Sequence, residues 1–490
     1  MPKSISFETL DMNLVSSLGD TRGVAEEGSP FSILVMGDFS GRASCGVCDS
    51  RAALSSRRLH PVDRDDLEDV MAELGVKLRL PLSDNADDSI EISFAELDDF
   101  HPDRLYERLH IFRDIDNKIA QQLQTPSPGN EPLPDEALPE GLLCRSVDQT
   151  AGNLLDQIVE GDATGSDEIG KSATASHWDK FLSKVVTPHL ISGDNSEYRK
   201  VRELVDGAAG DLMRAILQYP EFKELEAAWR GAKFLVSRLE TGENLHVVLM
   251  DVSKDEIRHD LCADDALVES ALFHLLVEEC EEEPWGLIVG NYTFDKSNDD
   301  LALLGRLSKV ACLAGAPFLG AAGDGFLTGR PADDPLWEQL RHLREATYLG
   351  LATPGFLLRQ PYGKRTDPLE NFDFEEMSSP IPEHAEYLWG NPVFAVALLL
   401  GESFIDSEWE MVPGMKQELG GLPIHSYRVA DEVRISQCLE KVFTLEQVES
   451  LLDDGLIPLL SFKDLDMVRV ARFQSIADPP SLLAGRWKMN

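Results

Sequence analysis

The chain has 490 residues, of which 43% are hydrophobic, and this is enough apolar material for more than one packed core. Its 45 lysines and arginines stand against 87 aspartates and glutamates, so the formal net charge is −42 at pH 7. This composition argues against a largely disordered chain. It also argues against binding to nucleic acid or to anionic membrane surfaces, because phosphate groups need local positive charge.

The N-terminus, the longest apolar run and the cysteines indicate where in the cell the protein is located. Residues 1–19 lack the basic region and apolar core of a secretory signal. The longest candidate for a membrane span, residues 393–400, is far shorter than the roughly 18 to 20 apolar residues that a spanning helix needs. Seven scattered cysteines favour free thiols in a reducing compartment. We therefore expect a cytoplasmic protein that does not insert into membranes.

After an N-terminal arm at residues 1–30, residues 31–124 form the first predicted unit. Its pattern predicts an apolar strand at 31–36, a helix at 64–74, strands at 76–82 and 89–94, and a helical tail at 102–123. The unit is therefore expected to be a small α/β domain.

Two features of this unit have partial patterns of chemical sites. The turn G-D-F-S-G-R at 37–42 follows the first strand, but its spacing fits neither of the glycine-rich phosphate-binding motifs. Cys45 and Cys48 have the spacing of a redox pair or of half a zinc site, yet no second pair of ligands accompanies them. We interpret them as two small residues in a turn. The sequence predicts no cofactor and no metal.

A linker at residues 125–176 separates the two predicted units. Its first part is rich in proline, which favours an extended and semi-rigid chain, and its last part is rich in glycine, serine and threonine. Between them, residues 148–160 predict a short amphipathic helix with one narrow apolar stripe. The stripe consists of Leu154, Leu155, Ile158 and Val159. A helix this short needs a groove to lie in.

Residues 177–490 form the second and larger predicted unit. Residues 224–238 predict a helix that Gly231 interrupts, followed by the start of a strand at 234–236. Predicted strands at 245–252, 285–289 and 317–322 then alternate with helices at 254–261, 266–278 and 299–313. Such alternation favours a mostly parallel sheet with helices on its faces. The predicted fold class is α/β, with two α/β units.

The polar residues show no catalytic constellation, because eleven histidines lack metal-ligand spacing and no nucleophile motif is present. Adjacent carboxylates at Glu375–Glu376 and Asp98–Asp99 are predicted to be solvated surface. Aromatic residues such as Trp229 and Trp389 are predicted to be core. Lys364 and Arg365 place two cations on a turn, and they either contact an acidic face of a neighbouring subunit or form an exposed loop.

Two sets of longer motifs resemble one known family. P-F-S-I-L-V-M-G-D-F-S-G-R at 30–42, with the segments at 60–74 and 97–105, resembles the small subunit of the type VI secretion contractile sheath, TssB/VipA. Further motifs resemble the large subunit, TssC/VipB. These include E-L-E-A-A-W-R-G at 224–231, P-W-G-L-I-V-G-N-Y-T-F-D at 284–295, L-L-R-Q-P-Y-G-K-R-T-D-P at 357–368 and F-D-F-E-E at 372–376. The chain resembles a natural fusion of the two subunits.

The resemblance implies a structural, non-enzymatic protomer that assembles with other sheath subunits around an Hcp tube. Extended strands added to a neighbour's sheet would knit the subunits together, and residues 4–8, with Ile5 and Phe7, offer such a strand. The helix at 148–160 resembles the element that the ClpV ATPase recognises in large subunits. The alternative is docking of that helix on its own domain.

The resemblance also leaves alternatives open. The family continues beyond the G-L-I-P-L motif at 455–459 to a terminal strand, and the large-subunit part is therefore expected to lack that C-terminal segment. This feature supports a second interpretation, a sheath-like accessory that caps or nucleates the sheath or links it to baseplate or sheath-end proteins. A cytosolic nucleotide-binding enzyme is the distant alternative.

Overall fold

The computed structural model describes residues 23–81, 89–113, 197–263, 266–280, 283–327, 334–430 and 432–488. Several predicted features lie outside these ranges. They are Ile5 and Phe7 of the arm, the linker at 125–176, and the helix at 148–160 with Leu154, Leu155, Ile158 and Val159. What the sequence predicts for these residues stays a prediction, as do the residue bounds of the domains.

The strands in the described part are β1 (Phe31–Gly37), β2 (Leu59–Val62), β3 (Val76–Pro81), β4 (Ser89–Phe94), β5 (Leu245–Asp251), β6 (Leu287–Phe294), β7 (Phe318–Ala322), β8 (Leu349–Thr353), β9 (Phe356–Leu357), β10 (Trp389–Gly390), β11 (Glu418–Leu419), β12 (Ser426–Val429), β13 (Glu432–Ile435), β14 (Ile457–Ser461) and β15 (Val468–Val470). The helices are α1 (Arg51–Leu54), α2 (Leu67–Leu74), α3 (Pro102–Arg108), α4 (Glu197–Leu217), α5 (Pro220–Arg238), α6 (Lys254–Leu261), α7 (Ala271–Phe273), α8 (Asn298–Ala314), α9 (Asp324–Leu327), α10 (Pro335–Arg341), α11 (Val393–Ser407) and α12 (Leu445–Asp453).

The main sheet has nine strands in the order β11-β15-β14-β8-β7-β6-β1-β5-β2. Its centre is parallel, from β14 through β8, β7, β6 and β1 to β5, and antiparallel strands lie at both edges. Hairpins β3–β4 and β12–β13 lie outside this sheet. The α/β fold class predicted from the sequence is confirmed.

Strand β1 lies between β5 and β6, and Val35 is paired with Leu249 on one side and Val289 on the other. All of β1 is buried, which is typical of a central strand of a parallel sheet with helices on both faces. The two predicted units thus contribute strands to one sheet. A buried strand needs a hydrogen-bonding neighbour on each edge. Both neighbours of β1, the strands β5 and β6, come from the second unit.

Alternation along β1 sends its side chains into two cores. Phe31, Ile33 and Val35 pack in the core that contains α5 and α11, whereas Leu34 and Met36 pack in the core that contains α6 and α8. Residues 393–400, the longest apolar run, lie in buried α11 between the sheet and other helices. Within the described ranges, no helix combines the length and the apolar character that crossing a membrane requires.

The predicted strand at 234–236 is wrong, because these residues continue helix α5. A methyl group added at Gly231 would lie 2.3 Å from Cε2 of Phe394, so this glycine permits the close approach of α5 and α11. Ala228, Ala232 and Leu235 are buried on the same side of the helix. The apolar run is therefore part of a buried helical stripe.

The single helix predicted at 266–278 is also wrong in its form. Residues 267–269 form one 3₁₀ turn, α7 follows, and residues 274–278 form a π-helical turn. The N-cap side chain of Ser270 separates the first two pieces, since its hydroxyl accepts the amide hydrogen of Phe273. By contrast, the helix predicted at 254–261 matches α6.

Candidate functional site

The turn after β1 is held by a carboxylate at the end of β5. Oδ1 of Asp251 accepts the amides of Phe39 and Ser40, each at 2.9 Å, and Oδ2 accepts the Ser40 hydroxyl at 2.8 Å. Backbone amides at such a turn are the donors that would hold a phosphate in a nucleotide-binding fold. Here an internal carboxylate already occupies them.

Asp38, which is itself part of this turn, also stabilises it through its side chain. Its two oxygens accept the amides of Arg42 and Ala43, both at 2.8 Å. Burial raises the pKa of the Asp38 carboxyl, the amide bonds oppose this, and the nearby Asp251 raises it further. Gly41 has φ +74°, and a Cβ there would lie 2.0 Å from the carbonyl oxygen of Lys77. Only glycine fits, because the backbone of β3 crosses directly over this turn.

A charged network extends from the turn into α6. Nη1 of Arg42 lies 3.0 Å from Oε1 of Glu256, and Nη2 of Arg57 lies 2.8 Å from Oδ2 of Asp49. Glu256 is fully buried and also completes the capping box of α6. Residues of the first segment thereby bind residues about 200 positions later. The network is a junction between the two parts of the chain.

A second buried cluster of charges includes Glu226 and Arg230 of α5. Nε of Arg359 donates to Glu226 at 2.8 Å, and its Nη1 donates to Glu376 at 2.7 Å. Nε of Arg230 donates to Glu226 at 2.7 Å, and the Tyr362 amide donates to Glu376 at 2.7 Å. We call these five residues the buried ion cluster. Burial alone would lower the pKa of Arg359, and the two carboxylates reverse this effect and raise it.

The prediction that the adjacent carboxylates are solvated surface is wrong for one member of each pair. Glu376 is 1% exposed and Asp99 is 7% exposed, whereas Glu375 and Asp98 lie at the surface. Asp99 caps the turn at residues 97–100 and forms an ion pair with Arg108. Glu376 faces the buried guanidinium of Arg359, whereas Asp99 is buried by its capping role and its partner Arg108 remains partly exposed.

Lys364 and Arg365 lie on the turn that follows Tyr362 of the buried ion cluster. The Gly363 amide donates to the Asp367 carbonyl at 2.9 Å, and the Lys364 amide donates to Oε1 of Glu375 at 3.2 Å. The Lys364 ammonium lies 2.6 Å from Asp373. Arg365 is exposed and forms no ion pair with any residue in the described ranges. The predicted role of the two cations as a subunit contact stays a prediction.

A crevice of about 840 Å³ opens at the carboxyl ends of the central strands. Asp38 after β1, Tyr292 and Thr293 of β6, Gly323 after β7 and Thr353 of β8 line it. We call it the carboxyl-edge crevice. Trp389, predicted to be core, is only partly buried and lies at this crevice, while Trp229 is fully buried as expected.

Cys45 and Cys48 lie on either side of Gly46, whose φ is +69°. Both are free thiols, and Sγ of Cys48 lies 3.7 Å from Nδ1 of His259. In the described part of the chain, no three histidine, cysteine, aspartate or glutamate side chains are grouped as metal ligands. Backbone hydrogen bonds hold this turn, and the amide of Val47 donates to the carbonyl of Arg42 at 2.9 Å.

Comparison with known protein families identifies the family to which this chain belongs. A family model described as VipB, "EvpB/VC_A0108, tail sheath N-terminal domain", matches residues 200–477. The chain belongs to this tail-sheath family. A second model, "Type VI secretion system, VipA, VC_A0107 or Hcp2", matches residues 17–121. A small-subunit segment therefore precedes a large-subunit segment, and the resemblance to a TssB/TssC fusion is confirmed.

Two individual proteins are similar to this sheath chain. The type VI secretion system sheath protein TssC1 of Pseudomonas aeruginosa is 32% identical over 317 residues, covering 59% of this chain and 64% of that protein. The chain thus spans a little less than two thirds of the relative's length. A solved structure of the anti-feeding prophage baseplate covers 51% of each chain at 16% identity and a TM-score of 0.29. A score this low carries no conclusion.

Three motifs of the sheath family meet in the buried ion cluster. The E-A-A-W-R-G motif supplies Glu226 and Arg230, the R-Q-P-Y-G-K-R motif supplies Arg359 and Tyr362, and F-D-F-E-E supplies Glu376. Reasoning from the sequence noted each motif but assigned none of these five residues to a charge network. One pair of the network could have been predicted, because Glu226 and Arg230 are four residues apart and therefore lie on one face of a helix.

Proposed function

We propose that this chain is a fused sheath protomer of a type VI secretion system that assembles with other sheath subunits around an Hcp tube. The observation that supports it most is the position of β1, which belongs to the small-subunit segment and pairs in parallel with two strands of the large-subunit segment. The two sheath parts of one polypeptide therefore share one sheet, which supports their acting together as one protomer.

The charged sites support a structural role and not catalysis. The amides of the turn after β1 are bound by Asp251 and Asp38, so they are not available to a phosphate. The carboxylates of the buried ion cluster are bound by arginines and by a backbone amide. Groups that are satisfied in this way stabilise a particular packing and have no free proton acceptor for a substrate.

The ATPase-recognition helix belongs to the same proposal. Residues 148–160 would present Leu154, Leu155, Ile158 and Val159 to ClpV. Leu155→Asp is expected to abolish capture by the unfoldase, because a carboxylate on a narrow apolar stripe cannot enter an apolar groove. Asn153→Asp, which introduces the same carboxylate on the opposite face of the predicted helix, is the matched control. Undiminished capture of the Leu155 variant would remove this part of the proposal.

Electron microscopy of the purified chain tests the main proposal. The chain is imaged alone and after coexpression with the Hcp-like tube protein and ordinary sheath subunits from the same source. Tubules that contain this chain along their whole length are expected. Discrete particles, or labelling confined to the ends of sheaths built by other subunits, would overturn the proposal and identify a capping or baseplate-linked accessory. Nucleotide affinity would point instead to the enzyme alternative.

A further inference from the structure

The carboxyl-edge crevice has the position of a ligand site but not the chemistry of an anion site. It lies at the carboxyl ends of the parallel strands, and open α/β sheets bind ligands in crevices at this edge. The amides of the turn after β1 are occupied by Asp38 and Asp251. An anion would meet these carboxylates and no free donor from the turn. A cation is the complementary ligand.

The charges around the crevice favour the same kind of ligand. Six carboxylates and three lysines line it. The lysines are already engaged, since Lys254 lies 2.7 Å from Asp300, Lys441 pairs with Asp324, and Lys223 donates to the carbonyl of Ala385. At the mouth, burial raises the pKa of Glu224, and repulsion from Glu221 and Asp38 raises it further. A positive group placed there would relieve this repulsion.

An aromatic rim completes the crevice. Trp389 stacks on His384 with ring centroids 5.8 Å apart, and Tyr387 lies 5.4 Å from Trp389. The indole nitrogen of Trp389 donates to the His384 carbonyl at 2.8 Å, so the orientation of the ring is fixed. A guanidinium bound beside carboxylates and over an aromatic face gains from both interactions. The crevice therefore fits an arginine better than a metal ion.

The chain carries a suitable arginine on a different surface. Arg365 is exposed, does not line the crevice, and lies on the turn that follows Tyr362 of the buried ion cluster. The turn is fixed by the bonds of Tyr362, Gly363 and Lys364 described above, and Lys364 itself is engaged by Asp373. A preorganised turn loses little freedom when its tip is buried by a partner.

We propose that Arg365 of one copy of the chain inserts its guanidinium into the carboxyl-edge crevice of a second copy, against Glu224 and the Trp389 ring. This inference rests on the proposed function, because it specifies one contact between sheath protomers. The two surfaces differ, so the contact is heterologous, and repeated heterologous contacts generate an open helical assembly.

A charge exchange tests the contact. Arg365→Glu and Glu224→Arg are each expected to lower the mass of sedimentable tubules at least about tenfold, and the double variant is expected to restore most of it. Glu243→Arg, at the opposite end of β5, is the control and should assemble as the native chain does. A double variant as defective as the worse single variant would refute the proposal.

Cross-linking separates failure of this contact from failure of the proposed function. Differently tagged Glu224→Cys and Arg365→Cys chains, both with Cys48→Ser, are mixed and oxidised with glutathione disulfide. A mixed dimer is expected here and not when Glu243→Cys replaces Glu224→Cys. A dimer without tubules would keep the contact and refute the sheath function. Tubules in the native chain, with neither the dimer nor the charge-exchange effect, would refute the contact alone.

Discussion

Replacing Glu376 by glutamine is the most direct test of how the buried ion cluster stabilises the fold. The cluster holds two carboxylates, Glu226 and Glu376, and two guanidiniums, Arg230 and Arg359, so its formal charge is balanced. Glutamine keeps the shape and can still accept the Tyr362 amide, but it leaves one buried cation without a counter-charge. The expected loss in the free energy of unfolding is about 3–5 kcal/mol.

The combined replacement distinguishes charge from packing. Arg359→Met alone leaves Glu376 without a cation and should cost a similar amount. Arg359→Met with Glu376→Gln leaves the balanced pair Arg230–Glu226 and fills the remaining volume with neutral side chains. The double variant should therefore be more stable than the sum of the single losses predicts, with a coupling energy of at least about 2 kcal/mol.

Urea unfolding at a concentration where the chain is monomeric measures these values. Lys364→Ala is the control, because it removes an exposed ion pair with Asp373 close to the cluster and should leave the midpoint unchanged. Additive losses in the double variant would refute the reasoning, since they would show that Arg359 and Glu376 stabilise the fold independently. Equal stability of the Glu376→Gln variant and the native chain would refute it as well.

Three further changes test other parts of the structure. Gly231→Ala should lower the unfolding free energy by about 1–3 kcal/mol through its clash with Phe394, whereas Gly242→Ala, with nothing within 4 Å of the new Cβ, should not. Asp251→Ala leaves two amides of the turn after β1 unpaired, so hydrogen exchange there should accelerate; unchanged exchange would contradict this. Burial raises the pKa of Asp454 from 3.8 to about 6, so folding favours its protonated form and stability falls as the pH rises from about 4 to about 6. Asp454→Asn should remove this fall and stabilise the chain by roughly 1–2 kcal/mol at pH 7, but not at pH 3, in urea titrations at both values.

The local pattern was sufficient for most strands and for helices with clear start signals. The strand at 31–36 and the helix at 254–261 were predicted almost as observed, because an apolar run and a capping box are local properties. Gly231 was misinterpreted because its function is not local. It fits Phe394, more than 160 residues later, and the sequence around it shows only a helix breaker.

The buried ion cluster could be predicted only in part. Alternation correctly placed Glu375 and Glu376 on opposite sides of the chain, yet it gave no information about which side is buried. That depends on Arg359, which is held in turn by Glu226 from a distant helix. The pairing of β1 with β5 was inaccessible for the same reason, since more than 200 residues separate the two strands.

The position of β1 also shows what holds the two parts of the chain together. Phe31, Ile33, Leu34, Val35 and Met36 are all fully buried, and removing them from the sheet would expose side chains worth about 1.5–3 kcal/mol each, on the order of 10 kcal/mol in total. The indole of Trp229 adds a buried hydrogen bond of 2.7 Å to the carbonyl of Phe39. The two parts are therefore held together by the sheet itself. Covalent fusion raises their effective concentration, and its main physical consequence is a fixed ratio of one small-subunit part to one large-subunit part in every copy of the chain.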